Sequence, residues 1–375
     1  MRRRRAAWAA AAALIVTAGV AAAPPASAAP AHHHLDRRSL QGGLDGIVAA
    51  GAVGAVAEVR DGRDAWRGSS GRARLGRPEP VAVGSRFRAG SITKTFVATV
   101  VLQLVAEGRV RLADPVSRWL PGVVPGGRRI TVRDLLGQTS GIADYLETLV
   151  LPPDPGFLAD KDRTWTPDEL IARAGAEPPT SGQPGEAFSY SNTNYLLLGE
   201  VIGRVTGRSY SQEIERRIIR PLGLHGTALP GTSEEIGGPH PHGYVPIEED
   251  GGRRLVDVTS MNPSVMGASG EIVSTTADLD TFYDALLGGR LLPPRLLAEM
   301  TTPSAPGSPY GLGVFVKNTA CGVPVYGHDG DALAYESWSY STPDGRRQVT
   351  IAVTPDFRAD LDTVVDRYLD SVFCG

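Results

Sequence analysis

The chain predicts an α/β protein of the α+β type: one antiparallel sheet built from both ends of the sequence, flanked by helices, with a helical domain inserted between its halves. Three observations carry this. Strand-like patterning is confined to residues 52–72 and to the stretch after Tyr310, so strands do not alternate with helices along the chain. Between them, from about residue 91, apolar residues recur at helical spacing. Helical stretches also lie outside both strand groups, placed to cover a sheet made from the two.

In order, residues 1–28 read as a secretory signal peptide. Arg2 to Arg5 are charged, Ala6 to Ala23 are apolar, and Ala26-Ser27-Ala28 is a small-residue cleavage site. Residues 29–35 form a flexible start in which His32, His33 and His34 suit a solvated linker better than a metal site. Residues 36–375 make the folded domain, with a sheet subdomain over about 36–90 and 265–375 and a helical subdomain over about 91–264. Leu40, Leu44, Ile47 and Val48 mark the first helix, and Ala52 to Arg60 and Trp66 to Arg72 are strands around the turn Asp61-Gly62. The helix that starts at Ser91 carries Phe96, Val97, Val100, Val101 and Leu104. Further helical segments fall near Val132–Leu136, Pro167–Ala174, Tyr195–Val205, Ser211–Ile219 and Ala277–Leu287, with Pro/Gly-rich loops such as Leu151 to Gly156 between them. Strands return at Gly311–Val316, Pro324–Tyr326, Ala334–Ser341 and Arg347–Val353, the last two joined by Thr342-Pro343-Asp344-Gly345. Leu361, Val364, Val365, Tyr368, Leu369 and Val372 form the apolar side of a closing helix.

Hydrophobic residues make up 42% of the 375, ample for a core. Removing the leader's four arginines from 38 basic side chains, against 41 acidic ones, leaves a charge of about −7. That balance speaks against nucleic acid or an anionic surface as partner. No other stretch is long and apolar enough to span a bilayer, so a secreted protein without a stable membrane anchor is expected. Cys321 and Cys374 are an even pair in an exported chain and predict a disulfide that ties down the C-terminus. No Cys/His cluster has metal-ligand spacing, and no cofactor is expected.

Only three of the 38 basic side chains are lysine, and Lys94 lies three residues after Ser91. Arginine keeps its charge in a protein, whereas a crowded lysine can give up its proton and act as a base. Ser-x-x-Lys at a helix start places both side chains on one face, with the serine near the positive end of the dipole and beside unpaired N–H groups. A serine N-cap with an incidental lysine would look the same in isolation. Farther on, Tyr190 and Asn192 sit in a loop before a helix. A tyrosine beside a protonated lysine can have its pKa lowered enough to shuttle a proton, and Asn192 offers an amide to a substrate. His328, Asp329, Gly330 and Asp331 end a predicted strand, where glycine lets a substrate approach the sheet edge. A Ser-His-Asp triad on His328 lacks a G-x-S-x-G elbow: the nearest match, Gly267-Ala268-Ser269-Gly270, fails at its last glycine.

Ser91-x-x-Lys94, then Tyr190-x-Asn192, then His328-x-Gly330 together resemble the serine β-lactamase and penicillin-binding-protein superfamily. Within it the chain looks most like secreted D-alanyl-D-alanine carboxypeptidases and class C β-lactamases, and the likeness spans the whole mature chain, including Thr131-Val132-Arg133-Asp134-Leu135-Leu136 and Ser274-Thr275-Thr276-Ala277-Asp278-Leu279. The resemblance implies the β-lactamase/DD-peptidase fold and an acyl-enzyme mechanism. Ser91 would attack, Lys94 and Tyr190 would relay the proton, and Asn192 would orient the acyl-side amide. The N–H groups of Ser91 and Asp331 would form the oxyanion hole, while His328 would help hold the proton network and the leaving-group pocket. The chain departs from the carboxypeptidases at the carboxylate-binding end. Asp329 and Asp331 replace hydroxyl residues, and Phe315 replaces an arginine; Gln138 replaces a frequent histidine and reads as structural. The implied function is hydrolysis of peptide, amide or ester carbonyls in small-molecule or peptide substrates, peptidoglycan-derived ones included, by a monomer. Esterase, D-aminopeptidase and D-amino-acid amidase are the alternatives on the same fold, and a non-catalytic penicillin sensor is the rival from another class.

Overall fold

The computed structural model describes residues 35–180, 182–249 and 251–375. The predicted signal peptide and His32, His33 and His34 lie outside the described residues. The domain opens with the helix Arg37–Gly51, whose N-cap Asp36 accepts from the N–H groups of Arg38 and Ser39. Strands β1 (Ala52–Asp61) and β2 (Asp64–Gly71) follow as a hairpin. Two short pairs stand apart from the main sheet: β3 (Phe87–Arg88) with β6 (Val273–Ser274), and β4 (Tyr244–Glu249) with β5 (Gly252–Asp257). The late strands are β7 (Phe315–Asn318), β8 (Pro324–Asp331), β9 (Glu336–Ser341) and β10 (Arg347–Pro355). All six main strands form one antiparallel sheet in the order β2-β1-β10-β9-β8-β7, so the two ends of the sequence meet where Val56 pairs with Ala352.

Strand alternation sends the two faces to different cores. Ala55, Ala57, Val59, Trp338, Val349 and Ile351 pack beneath Leu40, Leu44 and Ile47 of the first helix and Val365, Tyr368 and Leu369 of the last, Asp362–Cys374. The other face carries buried Glu58, Ser339, Gln348 and Thr350. It packs on the helix Thr276–Leu287, where Thr350 donates to Asp280 at 2.6 Å. The apolar helix Thr93–Ala106 runs through the larger core, and its Phe96 stacks on Phe282. Cys321 is bonded to Cys374, which fixes the end of the last helix to the β7–β8 loop. Among the described residues no helix is long and apolar enough to cross a membrane.

Three expectations change. The predicted strand Gly311–Val316 starts only at Phe315, because Gly313 turns the chain at φ +90° where it crosses Ala98; a Cβ there would lie 2.3 Å from that side chain. The hairpin β4–β5 lies inside the stretch expected to be helical, its strand signal masked by Pro246 and by charged Glu248, Glu249, Arg253 and Arg254. Ser91 precedes the long helix in a separate tight turn, Gly90–Ile92.

Candidate active site

Gly90 and Gly330 let the turn that carries Ser91 meet the end of β8. A Cβ on Gly90 would sit 2.5 Å from the carbonyl oxygen of Asp331, and one on Gly330 would sit 2.0 Å from that of Ala89. The close approach brings the backbone of Ser91's turn against that of Asp331, the pair expected to bind an oxyanion. Thr93 at the following helix start donates to the Gly90 carbonyl at 2.7 Å and accepts from the Ile272 N–H at 3.0 Å, tying the turn to the segment before β6.

Lys94 is fully buried, and its amine makes three contacts. Nζ lies 2.9 Å from Ser91 Oγ, 2.7 Å from Asn192 Oδ1 and 2.8 Å from the Ser269 carbonyl. Burial penalises the ammonium and brings the pKa down to about 7, with Asp144 opposing the fall. The neutral amine then has two N–H groups and one lone pair. Asn192 Oδ1 and the Ser269 carbonyl can only accept, so they take the two hydrogens and the lone pair is left facing Ser91 Oγ. The arrangement can therefore remove the serine proton directly.

The loop carrying Tyr190 and Asn192 is held from behind by Gln138. Its carbonyl accepts from the Ser189 N–H at 2.8 Å, and its Oε1 accepts from Ser191 N–H at 3.1 Å and Asn194 Nδ2 at 2.5 Å. Ser191 and Thr193 both donate to the Ala143 carbonyl. Thr131-Val132-Arg133-Asp134 just upstream is a capping box. Tyr190 reverses one expectation. Its pKa is raised well above the ordinary phenol value, not lowered: burial dominates, and its hydrogen bond with Ser91 offsets only part. Lys94 faces the ring, 4.9 Å from its centre, rather than sitting as an ion partner of the hydroxyl. Tyr190 is thus a neutral phenol beside Ser91.

The strand motif divides. Asp331 lines the cleft, exposed at its mouth, where its Oδ1 accepts from the Leu333 N–H at 2.7 Å. Asp329 does not line it: on the Tyr340 side of the sheet, under the first and last helices, it accepts from Lys317 at 3.0 Å and from the Tyr340 hydroxyl at 2.6 Å. His328 does not touch the cleft either. Fully buried, it is pushed down to a pKa of about 3 by desolvation and then by Lys94, and remains neutral. Its Nδ1 faces the Asp329 carbonyl at 2.5 Å, an acceptor, so that nitrogen carries the hydrogen and Nε2 accepts from the Tyr310 hydroxyl at 2.8 Å. Phe315 packs edge-on against both Tyr310 and His328 with centroids 4.9 Å apart, away from the cleft. His328, Asp329 and Phe315, expected as substrate-binding residues, are supporting residues of the wall.

The cleft at Ser91 has about 320 Å³ of open space. Ser91, Tyr190, Asn192 and Asp331 lie on it, and its remaining wall is mostly apolar, including Leu146, Leu149, Phe157, Trp165, Met261 and Met266. Sequence reasoning missed this wall, because its residues come from three separated loops with no common periodicity. It also missed Asp144 and the carbonyl role of Ser269. The signal for Asp144 was its place just past Gln138-Thr139-Ser140-Gly141. Among the described residues no group of three or more His, Cys, Asp or Glu is placed to hold a metal.

The β-lactamase family profile matches residues 40–372. Among solved structures, a D-stereospecific amidohydrolase from Streptomyces sp. is 43% identical, with 91% of this chain and 99% of that one covered and a TM-score of 0.82. The D-amino acid amidase from Ochrobactrum anthropi SV3, solved with L-phenylalanine amide, is 29% identical over 90% of this chain and 98% of its own, with a TM-score of 0.77. A putative penicillin-binding protein, PbpX, of Bacillus subtilis (strain 168) is 31% identical over 230 residues, 61% of this chain and 53% of that protein. The chain thus spans about half the length of this relative.

Proposed function

We propose, for a chain that belongs to the β-lactamase family of serine hydrolases, an amidohydrolase that cleaves amide or ester bonds beside a bulky apolar residue of D configuration. The observation that carries the reading is the forced lone pair of Lys94 on Ser91, at 2.9 Å. Ser91 attacks the carbonyl as Lys94 takes its proton. Tyr190, a neutral phenol, hands a proton to the leaving amine or alcohol and is refilled from Lys94. Backbone N–H groups of Ser91 and Asp331 hold the oxyanion, and water on the same base releases the acyl group. The apolar wall from Leu146 to Trp165 and Met266 favours an aromatic or aliphatic side chain on the acyl residue. The D configuration rests on the two amidohydrolase neighbours. A D-alanyl-D-alanine carboxypeptidase fits less well, since the position expected to grip the terminal carboxylate is Phe315, packed away from the cleft. The reading includes export directed by residues 1–28 and action as a monomer without a cofactor.

The test combines a fluorophosphonate label, mapped by mass spectrometry, with hydrolysis of D- and L-phenylalanine amide, a phenylalanine ester and an acyl-D-Ala-D-Ala peptide. Labelling should map to Ser91 and vanish with all hydrolysis in Ser91→Ala, and the D-amide should outpace the L-amide and the peptide. A label on Ser269, or activity surviving Ser91→Ala, defeats the mechanism. Faster cleavage of the peptide than of the amide moves the assignment to a carboxypeptidase.

A further inference from the structure

Asp144 touches none of the reacting atoms, yet its carboxylate is built into their frame. Oδ2 accepts from Asn192 Nδ2 at 2.7 Å and from the Asn192 N–H at 3.2 Å, and Oδ1 accepts from the Leu146 N–H at 3.0 Å. A carboxylate cannot donate, so it turns the NH₂ end of the Asn192 amide toward itself and leaves Oδ1 to face Lys94. The reversed amide shows what this prevents. Its NH₂ would point at Lys94 and, once the amine became neutral, would donate to the lone pair. The base would be occupied as soon as it formed.

We propose that Asp144 is a positioning residue that locks Asn192 with its acceptor end on Lys94 and so reserves the lone pair of the neutral amine for Ser91. The proposal rests on the Ser91–Lys94 reading above and adds one residue to it. Asp144 also supplies the negative charge that opposes deprotonation of Lys94 at low pH. The other ionisable groups around the amine are the phenols of Tyr190 and Tyr195, with ring centres 4.9 and 5.7 Å from Nζ, then Tyr145 and Tyr310, His328, and Asp329 and Asp331 of β8. Burial keeps all four phenols protonated and His328 neutral. Asp329 is paired with Lys317, and Asp331, at the cleft mouth, has its carboxyl pushed up by burial, with the Leu333 N–H bond opposing the rise.

The experiment follows the rate of Ser91 labelling by a fluorophosphonate against pH in the full protein, by intact mass, for wild type, Asp144→Ala and Asp144→Asn. The alanine variant should lose about tenfold or more of the plateau rate, as misplaced catalytic groups do. Its acid limb should move to lower pH by about half a unit or more, because losing a nearby negative charge favours the neutral amine. Added formate should restore part of the rate in Asp144→Ala and do nothing to wild type. Asp144→Asn keeps the shape without the charge and should show the same downward shift; it decides alone if the alanine variant does not fold. Limbs that stay in place, a wild-type plateau in Asp144→Ala, or a slow, folded Asp144→Ala that formate does not rescue each overturns the proposal. A wild type that fails to label at Ser91 removes the parent reading, and this one with it; a labelled wild type with unmoved limbs removes Asp144 alone.

Discussion

Acylation should follow the titration of one amine. With its pKa brought down to about 7, Lys94 is the group that changes charge where the enzyme would work, and only its neutral form has a lone pair for Ser91. Activity must therefore rise with pH through about 7 and level off above it. One unit below the midpoint leaves about a tenth of the molecules competent and two units about a hundredth, equivalent to roughly 1.4 and 2.7 kcal/mol on the barrier. Replacing Lys94 with arginine keeps the cation but removes the exchangeable proton. The loss should be about 10²–10⁴, the usual worth of a general base, and the acid limb should disappear. The assay is kcat/KM on a D-phenylalanine ester or amide from pH 5 to 9 at constant ionic strength, with folding checked by circular dichroism. Two other groups need separating. His328, pushed down to about 3, cannot produce a limb near 7. Glu336, pushed up to about 7 by burial and by Asp331 opposite it, can, so Glu336→Gln serves as the control and should leave the limb in place. If Lys94→Arg kept half the wild-type rate, or kept a limb near pH 7, the amine would be an electrostatic post and the lone-pair argument would fail.

Three further outcomes follow from the same geometry. Asp329→Thr should lower the melting temperature by breaking its contacts with Lys317 and Tyr340, yet leave leaving-group preference within about twofold, since Asp329 does not line the cleft. A larger change in the ratio of charged to neutral leaving groups would return Asp329 to the cleft. Phe157→Ala should raise KM for aromatic acyl groups by about 10-fold or more while sparing small ones, because pocket methylenes are each worth ~1–3 kcal/mol in discrimination; equal losses for both would disconnect the apolar wall from specificity. Removing the Cys321–Cys374 bond, which closes a loop of sequence separation 53, should cost roughly 2–4 kcal/mol in denaturant unfolding and leave the Ser91 labelling rate unchanged.

Much of this was legible in the residues. Strand-like runs and helical spacing located the two strand groups and the helices between them, although the helix Thr93–Ala106 and strand β1 are buried on all sides rather than on one face. The scarcity of lysine singled out Lys94, and its spacing from Ser91 made the pair plausible from the sequence alone. The strand motif was harder. His328, Asp329 and Asp331 are neighbours in sequence, but alternation along β8 sends Asp329 to the face opposite His328, and Asp331, two residues on and of the same parity as Asp329, reaches the cleft mouth only because the strand ends there. Knowing that a residue belongs to a motif did not tell which way it pointed. The direction of the Tyr190 shift was missed for a similar reason. Proximity to a lysine suggested a lower pKa, whereas removal from water, which depends on the whole surrounding wall, decides the sign. Asp144 is joined to the site by its hydrogen bond with Asn192, 48 positions away along the chain, and no local pattern announces such a partnership.

The pairing of β1 with β10 also sets a schedule. Val56 leaves the ribosome long before Ala352, so the first strand waits for its neighbour while the helices between them are made. The helices between are local structures and can form as they emerge, but the sheet closes only once residues 347–355 arrive. The proposed oxyanion site shares that delay, because the turn at Gly90 meets Asp331 only after β8 has been made. Any chain stopped short of β10 would leave β1, buried along most of its length in the finished protein, with a bare edge open to its own kind. A premature stop late in the message is therefore expected to yield an aggregating fragment rather than a weakened enzyme.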